Sequence, residues 1–199
     1  MSCSTITFRG EPFVLAGTQP TLGEEIPDFS LTSWWEGRRV ETNLDSLRNA
    51  GLPILFSVVQ SVDAPISRLQ AKNFDLKLAE FGGAVFGLQI SSDLPFTLNR
   101  FRENEEIYYL DGLSDYYDQN FGRSFGVLME EPRVLARAVF VADWNGILHY
   151  AEVVPEITHE PDYESPINIL RELVVNAPGA QMEESDKEES VTDDSMPAE

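Results

Sequence analysis

The segment "LPILFSVV", residues 52–59, constrains the fold of this chain more than any other. An almost unbroken apolar run rich in branched side chains suits a central strand covered on both faces. The stretch after it, "QSVDAPISRLQAKNF" (60–74), reads as the opening of an amphipathic helix. From Ser67 to Phe81 the apolar positions follow a 3.6-residue period only loosely. No breaker intervenes before Gly82, so a helix is predicted there. A covered strand running into a helix points to a layered α/β domain.

The remaining segments extend that pattern. "TITFRGEPFVLAG" predicts an N-terminal β-hairpin, with Gly10 and Pro12 supplying the turn. "IPDFSLTSWWEGRRVETNLDSL" predicts a second reversal at "EGRR" and a helical turn at "NLDSL" capped by Asn43. "GAVFGLQI" is a second apolar strand, and "SSDLPFTLNRF" starts a helix with Ser92 or Asp93 as its cap. "ARAVFVAD" and "GILHYAEVV" form a hairpin turning at "DWNG". The last helix is placed at "EPDYE", with Pro161 in its first position and Asp162 and Glu164 complementing the dipole. Strands alternating with helices, then a hairpin and a helix, describe a thioredoxin-like α/β fold with a central mixed sheet flanked by helices.

At 199 residues the chain is sized for one domain and a trailing segment. The final nineteen residues, "QMEESDKEESVTDDSMPAE", hold eight acids and one lysine and lack the apolar content to offset ordering entropy. The expected division is a domain over 1–176 and an acidic disordered tail over 177–199. Acidity is not confined to the tail, because residues 1–180 still carry 26 acids against 13 bases. A formal charge of -20 repels phosphate backbones and anionic membrane surfaces, which argues against both as partners. No apolar run approaches the roughly 20 residues of a membrane span, and "MSCSTITFRG" lacks signal-peptide layout, so a cytoplasmic location is expected.

Catalytic options are few. Cys3 is the single cysteine, which excludes a disulfide within the chain. The two histidines, His149 and His159, are not spaced as a ligand pair. With no phosphate-cradling glycine loop and no nucleophile elbow, neither a metal nor a cofactor is expected.

Several blocks together resemble one family, the thiol peroxidase branch of the peroxiredoxins. "TFRGEPFVLAG" is similar to its N-terminal hairpin, and "SSDLPFTLNRF" to its SADLPFAxxRF segment. "LARAVFVADWNG" is similar to its LLARAVFVxDxxG hairpin, and "VVPEITHEPDYESPINIL" to its VxEITxEPDYExxLxxL ending. The blocks follow family order over roughly residues 5–172. The resemblance implies a peroxiredoxin fold, a bacterial homodimer and thioredoxin-dependent hydroperoxide reduction. Attack on an O–O bond requires a thiolate, so the thiol pKa must fall from about 8.5 under a helix N-terminus and a nearby cation. The family provides a P-x-x-x-T-x-x-C loop, a distant arginine, and a resolving cysteine after the SADLPFAxxRF helix.

Residue by residue, Gln60 stands at the family's proline, Ala64 at its threonine and Ser67 at its peroxidatic cysteine. Arg102 stands at the resolving cysteine, and only the arginine is kept, as Arg137. Both family thiols are replaced. A serine hydroxyl ionises far above neutral pH and is a poor nucleophile towards peroxide oxygen, so Ser67 is read as an N-cap or first-turn residue. Arg137 is expected to pair with a carboxylate such as Asp63. Its alternative role is in a residual oxyanion pocket with Ser67 and the first N–H groups of the helix. Hydrolysis through Ser67 and Arg137 lacks a histidine near Ser67 in sequence.

Cys3 is expected to be an exposed thiol of ordinary pKa. Trp34 and Trp35 are adjacent on a strand, so one must face outward, as a surface aromatic or as a contact for a partner or second subunit. The tyrosines of "EEIYYLDGLSDYYDQNF" admit the same two readings, and the acidic tail is either solubilising or a contact for a basic partner. The expectation is therefore a catalytically silent peroxiredoxin-fold protein, a binding or regulatory homodimer. The competing reading is a diverged thiol peroxidase that works through Cys3 or a partner's thiol.

Overall fold

In the computed structural model, residues 5–35 and 37–180 are described. Cys3 and the stretch 181–199 lie outside them, as does the side chain of Trp35. At the start of the domain, strand β1 (Thr5–Phe8) turns back on β2 (Glu11–Ala16), as expected. The turn itself is Arg9-Gly10, both left-handed at φ 52° and 84°, the mirror-type reversal whose twist matches paired strands. Pro12 is not part of it but sits within β2 opposite Thr7. Arg9 can hold this backbone because the Glu156 carboxylate accepts the N–H groups of Arg9 and Gly10 at 3.1 and 3.2 Å.

Strands β3 (Ser30–Trp35) and β4 (Arg38–Asn43) pair antiparallel and lead into α1 (Leu44–Arg48). Asn43 caps α1 as expected, accepting the Ser46 N–H while its own N–H donates to Ser46 Oγ. The predicted central strand is β5 (Ile54–Val58), buried at every residue. Helix α2 (Pro65–Leu78) continues as one tighter turn, Ala79–Phe81, and stops at left-handed Gly82. Then follow β6 (Phe86–Ser91), α3 (Pro95–Glu105), β7 (Asp111–Ser114), α4 (Asn120–Ser124) and β8 (Leu128–Met129). The closing elements are β9 (Ala138–Ala142), β10 (Leu148–Val153) and α5 (Glu164–Val174).

The seven-stranded sheet runs β10-β9-β5-β6-β7-β3-β4, with β5, β6 and β7 parallel and the outer pairs antiparallel. This is the mixed sheet the sequence predicts. The N-terminal hairpin joins β8 in a separate three-stranded sheet. One face of the large sheet packs Phe56 and Phe140 against Phe29, Phe121 and Phe125, with the Phe121 and Phe125 rings stacked at 4.1 Å. The other face presents Leu55, Val139 and Val141 to Phe74, Leu98 and Leu170 of α2, α3 and α5. Side-chain alternation along β5 and β9 thus sends two separate cores to opposite faces.

Three further local expectations need correction. Neither Ser92 nor Asp93 caps α3, whose first residue is Pro95 behind an uncapped Leu94. The Asp93 carboxylate instead takes three donors at 2.8 Å, from Ser61 Oγ, Val62 N and Ser91 Oγ, which together outcompete a single capping bond. Pro161 lies ahead of α5 rather than at its first position, because Asp162 accepts the N–H groups of Glu164 and Ser165 and so sets the start after itself. The packed chain also continues past residue 176, where the tail was expected to begin. Ala177 is fully buried and the Gly179 N–H donates to Gly51 O at 3.1 Å.

Candidate functional site

Helix α2 begins where β5 ends, and this junction holds four of the five positions singled out in the sequence. Ala64 is the N-cap residue of α2, and no side chain caps it. Ser67 therefore sits in the first turn and not at the cap. Its side chain is fully buried, and Oγ has no hydrogen-bond partner. No base is in place to activate that hydroxyl.

Arg137 lies just before β9 and is only 1% exposed, the largest of the fully buried side chains. Its partner is not Asp63. Nη1 donates to Gln70 Oε1 at 2.6 Å, Nη2 to Gln60 Oε1 at 3.0 Å and Nε to the Ile157 carbonyl at 3.1 Å. Neutral oxygens thus surround a buried cation. Burial pushes the guanidinium down to about 10, with Tyr163 and Glu160 opposing the fall, so it stays charged at neutral pH. Asp63 lies elsewhere, lining a small polar cleft of about 80 Å³ with Arg68 and Arg100.

The network extends further into the sheet. Gln70 Nε2 donates to Ser57 Oγ at 2.9 Å, and Ser57 Oγ donates to Gln89 Oε1 at 3.0 Å. Ser57 and Gln89 face one another as register partners across parallel β5 and β6. Three buried polar atoms in this cluster lack partners: Ser67 Oγ, Gln60 Nε2 and Gln89 Nε2. A buried orphan of this kind costs about 1–3 kcal/mol, so the cluster is not optimised for stability.

Chemically, the arrangement holds a fixed positive charge but offers no nucleophile and no open approach. The residual oxyanion pocket, the alternative reading of Arg137, is filled by the protein's own amides, with the oxygens of Gln60 and Gln70 on the guanidinium where an anion would sit. Sequence reasoning placed Gln60 at the loop but missed Gln70, Ser57 and Gln89. The available signal was a polar residue inside each of the apolar runs "LFSVV" and "GLQIS", since such groups demand partners when buried.

Arg102 is not brought to this cluster. It lies near the end of α3, where Nη1 bridges Asp111 Oδ1 at 2.9 Å and the buried Nε has no partner. It lines a cavity of about 560 Å³ between α3 and the β3–β4 hairpin. Helices α2 and α3 are joined through Glu105, which bridges Arg68 at 3.3 Å and Lys72 at 2.6 Å. Trp34 is half-buried, its ring 4.5 Å from that of Phe96, which is 54% exposed. Tyr108 and Tyr117 are also well exposed. Among the described residues no helix is long and apolar enough to cross a membrane, and no cluster of three or more potential metal ligands occurs.

A profile of the redoxin family matches residues 21–167. The chain is 39% identical over 170 residues to a thiol peroxidase of Bacillus subtilis, covering 85% of this chain and 98% of that one. A thiol peroxidase of Staphylococcus saprophyticus is 38% identical over 168 residues, covering 84% and 98% of the two chains. Among solved structures, a peroxiredoxin-like protein from Aquifex aeolicus superposes with a TM-score of 0.74 at 28% identity, covering 85% of this chain and 96% of that one. A thiol peroxidase from Chromobacterium violaceum superposes with a TM-score of 0.75 at 22% identity, covering 87% and 98%.

Proposed function

With the chain a member of the thiol peroxidase family of redoxins, we propose that it is a catalytically silent member, acting through binding or regulation rather than hydroperoxide reduction. The observation that carries this reading is the closed environment of Ser67. Its hydroxyl is buried without a partner, and the nearby arginine is engaged by Gln60 and Gln70. A serine oxygen has no accessible ionised state near neutral pH and no sulfenic-type intermediate to pass on. With Arg102 at the second thiol's position, no disulfide can close a catalytic cycle within the chain.

The reading extends to a cytoplasmic homodimer that meets its partner through exposed aromatics such as Phe96 and Tyr117, with the acidic tail as a second contact, for a basic surface. Light scattering on the purified chain tests the dimer. The decisive assay is consumption of hydrogen peroxide and of a lipid-like hydroperoxide by reduced protein with a thioredoxin system. The expected outcome is no turnover above the protein-free rate. Turnover that disappears in Cys3→Ala overturns the proposal in favour of a diverged peroxidase.

A further inference from the structure

The large sheet is open along one seam. β3 pairs with β4 over its whole length, and β7 pairs with β6 over its whole length, but β3 and β7 share the single pair Thr32↔Ser114. Beside that seam lies the cavity of about 560 Å³, lined from β3, β4, β6, β7, α1 and α3. Leu47, Leu88 and Leu113, all members of the core under α1, form one wall. Trp34, Pro95 and Arg102 form the wall on the α3 side. Gly112 lets α3 cross β7 closely there, since a Cβ at that position would lie 2.9 Å from Leu98 Cβ.

The volume falls in the range of about 300–1,000 Å³ usual for small-molecule sites. Leucines on one wall and Trp34 on the other suit a planar ring. Trp34 gives that ring an aromatic surface. Charge is supplied by Arg102. Asp111 holds its Nη1, and its Nε is buried without an acceptor and out of a ligand's reach, so a ligand meets the guanidinium at its Nη groups. Arg38 also lines the cavity and makes no ion pair among the described residues. A guanidinium edge matches the two oxygens of a planar carboxylate.

We propose that the cavity beside the β3–β7 seam binds a flat aromatic monocarboxylate, its ring between Trp34 and the leucine wall and its carboxylate on Arg102. Asp111 competes for the same guanidinium. Its side chain is 61% exposed, so it can turn to solvent when a ligand enters. The site is independent of the buried cluster around Arg137, and its occupancy does not depend on whether the protein reduces peroxides.

The test is titration calorimetry of the full chain with 2-naphthoate and its neutral analogue 2-naphthamide. Naphthoate is expected to bind at least about tenfold more tightly, one charge-assisted pair being sufficient for that factor. Arg102→Met should erase the difference. Asp111→Asn, which removes the competitor and leaves the arginine in place, should tighten naphthoate by about threefold without changing naphthamide. Val40→Trp, which fills the cavity, should abolish both. The proposal is overturned if neither compound binds the unaltered protein, or if naphthoate shows no advantage over naphthamide. It is also overturned if naphthoate affinity is unchanged in Arg102→Met, or in Asp111→Asn should the first variant not fold.

Discussion

The two positions that the family resemblance assigns to its thiols have been rebuilt in opposite ways. At the start of α2 the space is closed: Ser67 is fully buried, and the neighbouring Arg137 is wrapped by amide and carbonyl oxygens. At the end of α3 the space is open: Arg102 brings a new charge to the edge of a large cavity and shares it with a largely exposed Asp111. The contrast follows from what burial demands. A buried guanidinium is too costly to leave unpaired, so when the chemistry around it goes, other oxygens must take its donors. A position at a solvent-facing edge has no such obligation and can change charge freely.

The largest expected effect concerns access. In a Cys3→Ser background, Ser67→Cys should react with a thiol reagent at least about a thousandfold more slowly in the folded protein than when unfolded, because labelling must wait for the structure to open. It should also show no peroxide turnover. Labelling at the rate of a free thiol would mean the α2 site is open after all and would remove the contrast with α3.

The next effect is on stability. Arg137→Met leaves the oxygens of Gln60 and Gln70 and the Ile157 carbonyl buried without their donor, for an expected loss of about 3–5 kcal/mol in urea unfolding. A loss under about 1 kcal/mol would show that those groups find other partners and that the closed site is held by apolar packing alone.

A buried carboxylate sharpens the same comparison through pH. Asp115 is 2% exposed and accepts the N–H groups of Phe121 and Gly122, and burial still pushes it up to about 6. Its folded pKa is above the usual carboxylate value, so the folded state binds the extra proton between about pH 4 and 6. Stability should fall as pH rises through that window, by an amount on the order of 3 kcal/mol, and then level off. Arg137 keeps its charge throughout, so Asp115→Asn should flatten this part of the profile. An unchanged slope in that variant would assign the titration to another group.

What the sequence made legible, and what it did not, divides along the same line. The N-terminal hairpin with Gly10 in its turn, the covered strand at Ile54–Val58, the capped turn after Asn43 and the long helix after Pro65 all rest on local rules of periodicity, capping and turn chemistry. Side-chain destinations did not follow from local rules. Asp93 has the right residue type and position for a helix cap, yet the loop at Ser61 and Val62 competes for it across the fold. Arg137 was expected to find an acid because acids are abundant in this chain, but the residues that reach it are amides from the β5–α2 loop and from one turn further along α2. The replaced residues at 60, 64, 67 and 102 were readable only by resemblance. What the replacements do to the site required the packing.

The smallest effect is expected at Arg102, and its smallness is informative. Its bridge to Asp111 at 2.9 Å joins side chains that are 21% and 61% exposed, a setting in which an ion pair contributes up to about 1 kcal/mol. Against that stands the buried Nε with no acceptor, a cost that Arg102→Met removes while the methionine keeps much of the packing. The two contributions oppose each other, so the unfolding midpoint of Arg102→Met should differ little, within about 1 kcal/mol in either direction. A loss above about 2 kcal/mol would place Arg102 beside Arg137 as a residue the fold depends on. The open and closed sites would then differ in exposure alone, and Arg102 would be a structural bridge at the cavity rather than a partner for a ligand.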